Sequence, residues 1–400
     1  MLTMAEKQSK MDLSRRECVL MKPEMIQQYV EENQTLLLET LKELCAIPAP
    51  SGKEEKRAAY CKQWLENIGA KGVYIDDALN VIFPLNCEGS RDITVFVAHT
   101  DTVFPDLEPM PYVDDGEKIH CPDVGDDTAS LVVMLCMAKY CVENDLRPAG
   151  GYLFVCNSCE EGLGNLKGTR QLFRDYEGRI ARFISFDSNL NYINDRCVGS
   201  HRYEVEVQTQ GGHSFQRFGV PNAIAQLAQI VSKIYEIQIP QKENCRTTYN
   251  VGTITGGTSV NTIAQSAKML CEYRSEDKEC LAYMEKQFSD IFARANTDDV
   301  KVLVNKVGDR PCGDTDPEKI AALVELLRPV ISDVIGMPVN TKAASTDCNI
   351  PLSLGIPAVC IGVYVGEGAH TRQEWVRKDS LVPGLEVAIR VAHALMENAL

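Results

Sequence analysis

The sequence predicts an α/β fold, a mostly parallel central sheet flanked by helices, with a smaller α+β unit inserted into it. Three observations predict this. Over the first half of the chain, continuous apolar runs of strand length alternate with helical runs, the pattern of a parallel sheet covered on both faces. Past Ser200 the texture changes to alternating apolar and polar residues, as in YEVEVQTQ, which suits half-exposed strands. Beyond about residue 308 the buried texture returns with IAALVELLRPVISDVIG and IPAVCIGV. The expected division is therefore 1–199 plus 308–400 for the main unit and 200–307 for the insertion.

Each element follows from its local pattern. Apolar residues at three- and four-residue spacing predict a helix from about Pro23 to Cys45, broken by IPAPSG, and a second helix over Lys53–Ile68. Strands follow in GVYIDDALNVIFPL and DITVFVAHTD. A helix is expected over Thr128–Glu143, a strand over Gly151–Cys156, a helix near Thr169–Tyr176, and then the strand RFISFDS. In the insertion the order is β-α-β-β-α-β, with helices PNAIAQLAQIVSKIYEI and Lys278–Ala295. That order makes a small sheet with two helices on one face, the split-βαβ or ferredoxin-like arrangement.

Composition narrows the function. The 400 residues are 44% hydrophobic and 24% charged, with a formal net charge of -15. Such an acidic chain repels phosphate backbones and anionic lipid, so neither nucleic acid nor a membrane is expected as partner. The charged N-terminal segment lacks the apolar core of a signal peptide, and no apolar run approaches the ~20 residues needed to span a bilayer. The 16 cysteines then read as small buried thiols of a cytoplasmic protein. Cys156 and Cys159 have CxxC spacing but lie in the apolar run YLFVCNSC without a second pair, so no metal or redox role is assigned to them.

With only 6 histidines, their placement carries information. Five short patches concentrate the acids and imidazoles, and four of them close predicted strands, where ligands gather in open α/β sheets. His99 ends ITVFVA, with Asp101 two residues on to orient its ring. Asp126 and Asp127 precede a helix, where an aspartate alone would be read as a cap. Glu160 and Glu161 follow YLFVCNSC, Asp187 closes RFISF, and His370 lies in the loop GVYVGEGAHTRQEW. One of two adjacent glutamates can hold a metal while the other moves protons. His120, His201 and His393 lack such company and are assigned no function. Two histidines with several carboxylates suit two cations such as Zn²⁺ sharing a bridging carboxylate. No oxygen-only calcium loop is evident.

The motifs AHTDTV, GDDTASL, CEEGLG, FD, GGHSFQRFGVPNAI, SVNTIAQSA, EYRSED, STDCNIPLSLGIP and GAHTRQEW occur in this order from about Pro48 to Trp375. In this they resemble the co-catalytic zinc metallopeptidase family of peptidase T, glutamate carboxypeptidase, aminoacylase and succinyl-diaminopimelate desuccinylase. The resemblance implies a zinc exopeptidase fold with an inserted lid and dimerisation domain, and two Zn²⁺ per chain, replaceable by Co²⁺ or Mn²⁺. It implies that His99 and Asp187 bind one ion, Glu161 and His370 the other, and that Asp126 bridges them. Asp101 would orient His99, Glu160 would act as general base, and His213 would stabilise the oxyanion, supplied by the partner subunit in dimeric members. Asn261 and Arg274 would hold the substrate's terminal carboxylate.

Two departures bear on the subclass: Thr128 stands where peptidase T has lysine, and the lid histidine lies in GGHS. The expected activity is removal of the N-terminal residue from short peptides by a homodimer. The alternatives are a carboxypeptidase or an amidohydrolase acting on N-acyl amino acids. Outside the enzyme class, an inactive metal-binding homologue is the rival, and the presence of Glu160 weighs against it.

Overall fold

The computed structural model describes residues 22–397; the segment before them, to which no role was assigned, lies outside the described residues. The main sheet has eight strands in the order Tyr74–Ile75, Val81–Leu85, Tyr152–Asn157, Ile93–His99, Ile180–Phe186, Ala358–Ile361, Tyr192–Cys197 and Asn340–Ala344. Its centre is parallel: Ile93–His99 pairs in parallel with both neighbours, and Ile180–Phe186 with Ala358–Ile361. The carboxyl ends of these strands therefore point the same way, toward the site described below.

Alternation within these strands divides the core in two. Phe96, Ala98, Phe154 and Cys156 face one layer of helices, while Val95, Val97, Leu153 and Val155 face the other. The first layer is centred on Ser130–Glu143, whose apolar residues occur all round and which is almost wholly buried. Leu381–Glu397 packs beside it and also touches Pro317–Ile335 and Pro23–Glu32. Each fully buried Phe, Leu or Val here stabilises the fold by about 1.5–3 kcal/mol.

The expected single helix from Pro23 to Cys45 is two, Pro23–Glu32 and Gln34–Cys45. The break is at Asn33, whose side-chain amide donates to the Tyr29 carbonyl at 2.8 Å and whose Oδ1 accepts from Lys139. A side chain that competes for backbone groups in this way interrupts the helical ladder. The helix expected from Thr128 begins at Ser130, preceded by a wide turn over Val124–Ala129.

A second, antiparallel sheet runs in the order Thr247–Gly256, Ser266–Ser275, Gly199–Gln208 and Lys301–Arg310. The helices Ala223–Tyr235 and Lys278–Ala295, capped by Asn222 and Asp277, cover the face carrying Val205, Val207, Met269, Cys271 and Tyr273. The opposite face presents Arg202, Glu272 and Arg274 to a cleft between the two sheets. Arg202 spans that cleft to donate to the Gly162 carbonyl. The 15 cysteines among the described residues, Cys156 and Cys159 included, are all unpaired thiols. No described helix is long and apolar enough to cross a membrane.

Candidate metal centre

The parallel strands deliver their terminal residues to one place. His99 ends its strand and is buried; its Nδ1 lies 3.0 Å from the Asp101 carbonyl and 3.4 Å from Asp101 Oδ1. A proton held on Nδ1 leaves Nε2 as the electron-pair donor, and Nε2 is 3.0 Å from Asp126 Oδ1. The other oxygen of Asp126 is 3.2 Å from His370 Nε2, so one carboxylate lies between two imidazoles. His370 Nε2 is also 3.0 Å from Glu161 Oε1.

Three donor groups emerge, each with its ligand atoms within 4.8 Å of one another: His99 with Asp126 and Asp187, Asp126 with Glu161 and His370, and His99 with Glu160 and Glu161. Asp126 belongs to the first two. The structure therefore brings together all five residues that the sequence assigned to metal binding. Asp101 lies beneath them: its carboxylate accepts the backbone N–H groups of Glu160 and Glu161, both at 2.9 Å, and the Ser51 hydroxyl at 2.6 Å. It thereby ties the His99 strand end to the glutamate pair.

The donor set fits a pair of borderline cations. No side chain among the described residues donates a hydrogen bond to the Asp187 carboxylate. Burial raises its pKa, as do Asp126 and Asp127, well above the usual carboxylate range. Burial also opposes ionisation of Asp126, but His370 and His99 outweigh it and hold this carboxyl below its ordinary value. For His99, burial disfavours the charged ring while Asp101 and Asp126 more than compensate, raising its pKa. So many anionic donors in a buried place require positive charge.

Several residues that sequence reasoning passed over build the surroundings. Arg310, at the end of Lys301–Arg310, places Nη1 2.9 Å from Glu160 Oε1 and donates through Nη2 to the Glu160 carbonyl. Burial pushes Glu160 up to about 8, against the pull of the Arg310 guanidinium. Glu374 is buried and accepts the backbone N–H groups of Asp123, Gly125 and Asp126 at 2.7, 2.9 and 2.9 Å, fixing the loop that carries Asp126. Asp347 accepts from Asn157 and Thr169 under the site. Arg57 reaches the carbonyls of Ile47, Leu44 and Thr100 and the hydroxyl of Thr128. Glu374 lay within a quoted motif; Arg310 and Arg57 had no local signal.

The centre lines a cavity of about 660 Å³ between the two sheets, with Arg274 on its far wall. His213 and Asn261 lie elsewhere. His213 pairs with Thr262 in the small ladder of Gly212–His213 with Thr262–Ile263, and Asn261 precedes that ladder, its carbonyl accepting from the Ser214 N–H; both residues are exposed and neither lines this cavity.

The fold and these donors are those of a metal-dependent hydrolase. The chain belongs to peptidase family M20/M25/M40, whose profile matches residues 95–394, and so to the metallopeptidase class of hydrolases. It resembles the succinyl-diaminopimelate desuccinylase of Corynebacterium glutamicum, at 22% identity over 339 residues, 83% of this chain and 89% of that one. Among solved structures it shares its fold with a tripeptidase of Staphylococcus aureus, with a TM-score of 0.72 and 23% identity over 90% of this chain and 99% of that one. It shares it equally with aminopeptidase PepT of Bacillus cereus, with a TM-score of 0.69 and 21% identity over 91% and 99%.

Proposed function

We propose that the protein is a two-zinc exopeptidase that removes the N-terminal residue from short peptides. The observation that carries this reading is Asp126 shared between two donor groups, with Glu160 beside them at the edge of a cavity of peptide size. His99 and Asp187 would hold one ion, Glu161 and His370 the other, and Asp126 both. Bound zinc would supply a water of lowered pKa and polarise the scissile carbonyl.

The remaining steps belong to the chain. Glu160 takes the proton of the attacking water and returns it to the leaving amine. Arg310 occupies Glu160 Oε1, which leaves the other oxygen to serve as base. Asp101 holds the His99 ring and the backbone of both glutamates in place. His213 is exposed and off the cavity, which supports its donation to the site of a second copy, where an imidazole would meet the developing oxyanion. Phe215 and Phe218 beside it are 87% and 91% exposed, an apolar surface suited to a homodimer contact. Unpaired cysteines throughout the described residues support a cytoplasmic setting.

The desuccinylase relative keeps hydrolysis of N-acyl amino acids in view as a second reading. A panel of tripeptides, dipeptides and N-acyl amino acids, with products identified by mass, separates the two. Zinc-loaded protein that releases the N-terminal residue and needs a free amine supports the proposal; a requirement for a blocked amine overturns it.

A further inference from the structure

Tyr364 lines the cavity together with Asp126, Asp187 and His370, and the residue is only 6% exposed. Its hydroxyl has no hydrogen-bond partner among the described residues. The oxygen is nevertheless not one of the polar atoms sealed from solvent, so it opens into the cavity. A buried tyrosine hydroxyl normally finds a partner. The cavity's other tyrosine does so: the Tyr203 hydroxyl is 3.0 Å from that of Tyr273.

The chain fixes this ring on two sides. Tyr364 bridges to Asn189, two residues past Asp187, and its carbonyl accepts the Leu190 N–H at 2.8 Å. The Asn189 side chain in turn accepts the Gly366 N–H at 2.8 Å, which ties the same loop to the end of Ile180–Phe186. On the other side the ring edge lies over Gly125, the residue before Asp126. A Cβ there would stand 2.9 Å from Cε2 and 3.2 Å from Cζ, the carbon that bears the hydroxyl. Only a glycine lets the ring approach the backbone so closely. Tyr364 thus sits between the loop of Asp126 and the strand end of Asp187, whereas Glu160 groups with His99 and Glu161.

We infer that Tyr364 is a further catalytic residue, whose phenol O–H donates a hydrogen bond to the scissile carbonyl oxygen as it becomes an oxyanion. This rests on the exopeptidase reading. A carbonyl attacked at a centre that shares Asp126 lies against the residues flanking Asp126, and Tyr364 presents an unbonded donor there. The ionised carboxylates of Asp126, Asp187, Glu160 and Glu161 only accept hydrogen bonds, so an oxyanion among them needs a donor from elsewhere. Arg310 is committed to Glu160 and Ser345. A phenol held in place before substrate arrives costs no reorganisation at the moment of reaction. It keeps its proton throughout, and Glu160 remains the group that moves one. Unlike His213, Tyr364 acts within its own chain and needs no second copy.

The test compares zinc-loaded full-length wild type with Tyr364→Phe, which deletes the hydroxyl and keeps the ring. Turnover of a tripeptide gives kcat and KM. Calorimetry gives the affinity for the phosphinic analogue of that tripeptide, whose tetrahedral group carries an anionic oxygen, and for the product dipeptide as a control. Zinc content and thermal unfolding show that the variant is folded and its centre filled. Tyr364→Phe is expected to lower kcat about 100-fold, the worth of one oxyanion donor, with KM within about threefold. Affinity for the phosphinate should fall by a comparable factor, while dipeptide affinity and zinc content stay at wild-type values. If only N-acyl amino acids turn over, the same loss of kcat is expected on them.

An unchanged kcat, or a raised KM at unchanged kcat, overturns the inference, since the hydroxyl would then do nothing specific to the transition state. Loss of zinc from Tyr364→Phe overturns it too, because the phenol would be a support for the metal donors. Absence of hydrolysis across the wild-type panel counts against the exopeptidase reading instead. Phosphinate binding then decides the role of Tyr364 by itself: equal affinity in wild type and variant overturns it, and a selective loss in Tyr364→Phe sustains it.

Discussion

Arg310 Nη1 lies 2.9 Å from Oε1 of Glu160, and both side chains are buried. The two residues are 150 positions apart, and the bond joins the end of the second sheet to the proposed general base, which lies just past the strand Tyr152–Asn157 of the first. Removing one partner of a buried pair leaves an uncompensated charge, at a cost of about 3–5 kcal/mol. Arg310→Met should therefore lower the unfolding free energy by that order and depress turnover at least tenfold. Adding Glu160→Gln should recover part of the stability but none of the activity. A double-mutant cycle by denaturant unfolding measures the coupling.

Glu374 binds no proposed metal yet holds three backbone N–H groups of the Asp126 loop. Glu374→Ala orphans them, which costs about 1–3 kcal/mol for each that finds no water. Misplacing Asp126 should also weaken metal affinity by about 10- to 100-fold, as loss of a supporting partner does elsewhere. Zinc titration with a competing chelator reads this directly. Glu374→Gln, which keeps one acceptor oxygen, should fall between Ala and the wild type.

Asp123 is fully buried, and neither of its carboxylate oxygens has a hydrogen-bond partner among the described residues. Burial first, then the neighbouring charges of Glu374, Asp126 and Glu161, push its pKa up to about 8. The folded protein thus holds a proton there that the unfolded chain releases near the ordinary value of 3.8. Its stabilising effect is complete below that value and is lost as the pH rises through about 8. Asp123→Asn, neutral at every pH, should raise the melting temperature by an increment that grows between pH 5 and 8. A constant or shrinking increment contradicts the assignment.

The sequence made some of this legible and hid the rest for physical reasons. His99, Asp187 and the glutamate pair could be read because each closes or closely follows an apolar run, and strand ends in a parallel sheet converge. Asp126 needed the ordered motifs, since an aspartate before a helix has the simpler role of a cap. The two helices around Asn33 were read as one because apolar periodicity continues across the break, which a single side-chain amide makes. Glu374 lay inside a motif whose histidine drew the attention, and its role, binding backbone groups, has no pattern of its own. Arg310 left no local trace, because it acts across the fold.

The central claim is that Asp126 is shared by two metal ions. Metal content after dialysis against zinc, measured by inductively coupled plasma mass spectrometry on wild type, Asp126→Asn and Asp187→Asn, tests it most directly. The account predicts about two ions per chain in the wild type, near zero in Asp126→Asn and about one in Asp187→Asn. A single ion in the wild type, or an Asp126→Asn variant that keeps both, would contradict it.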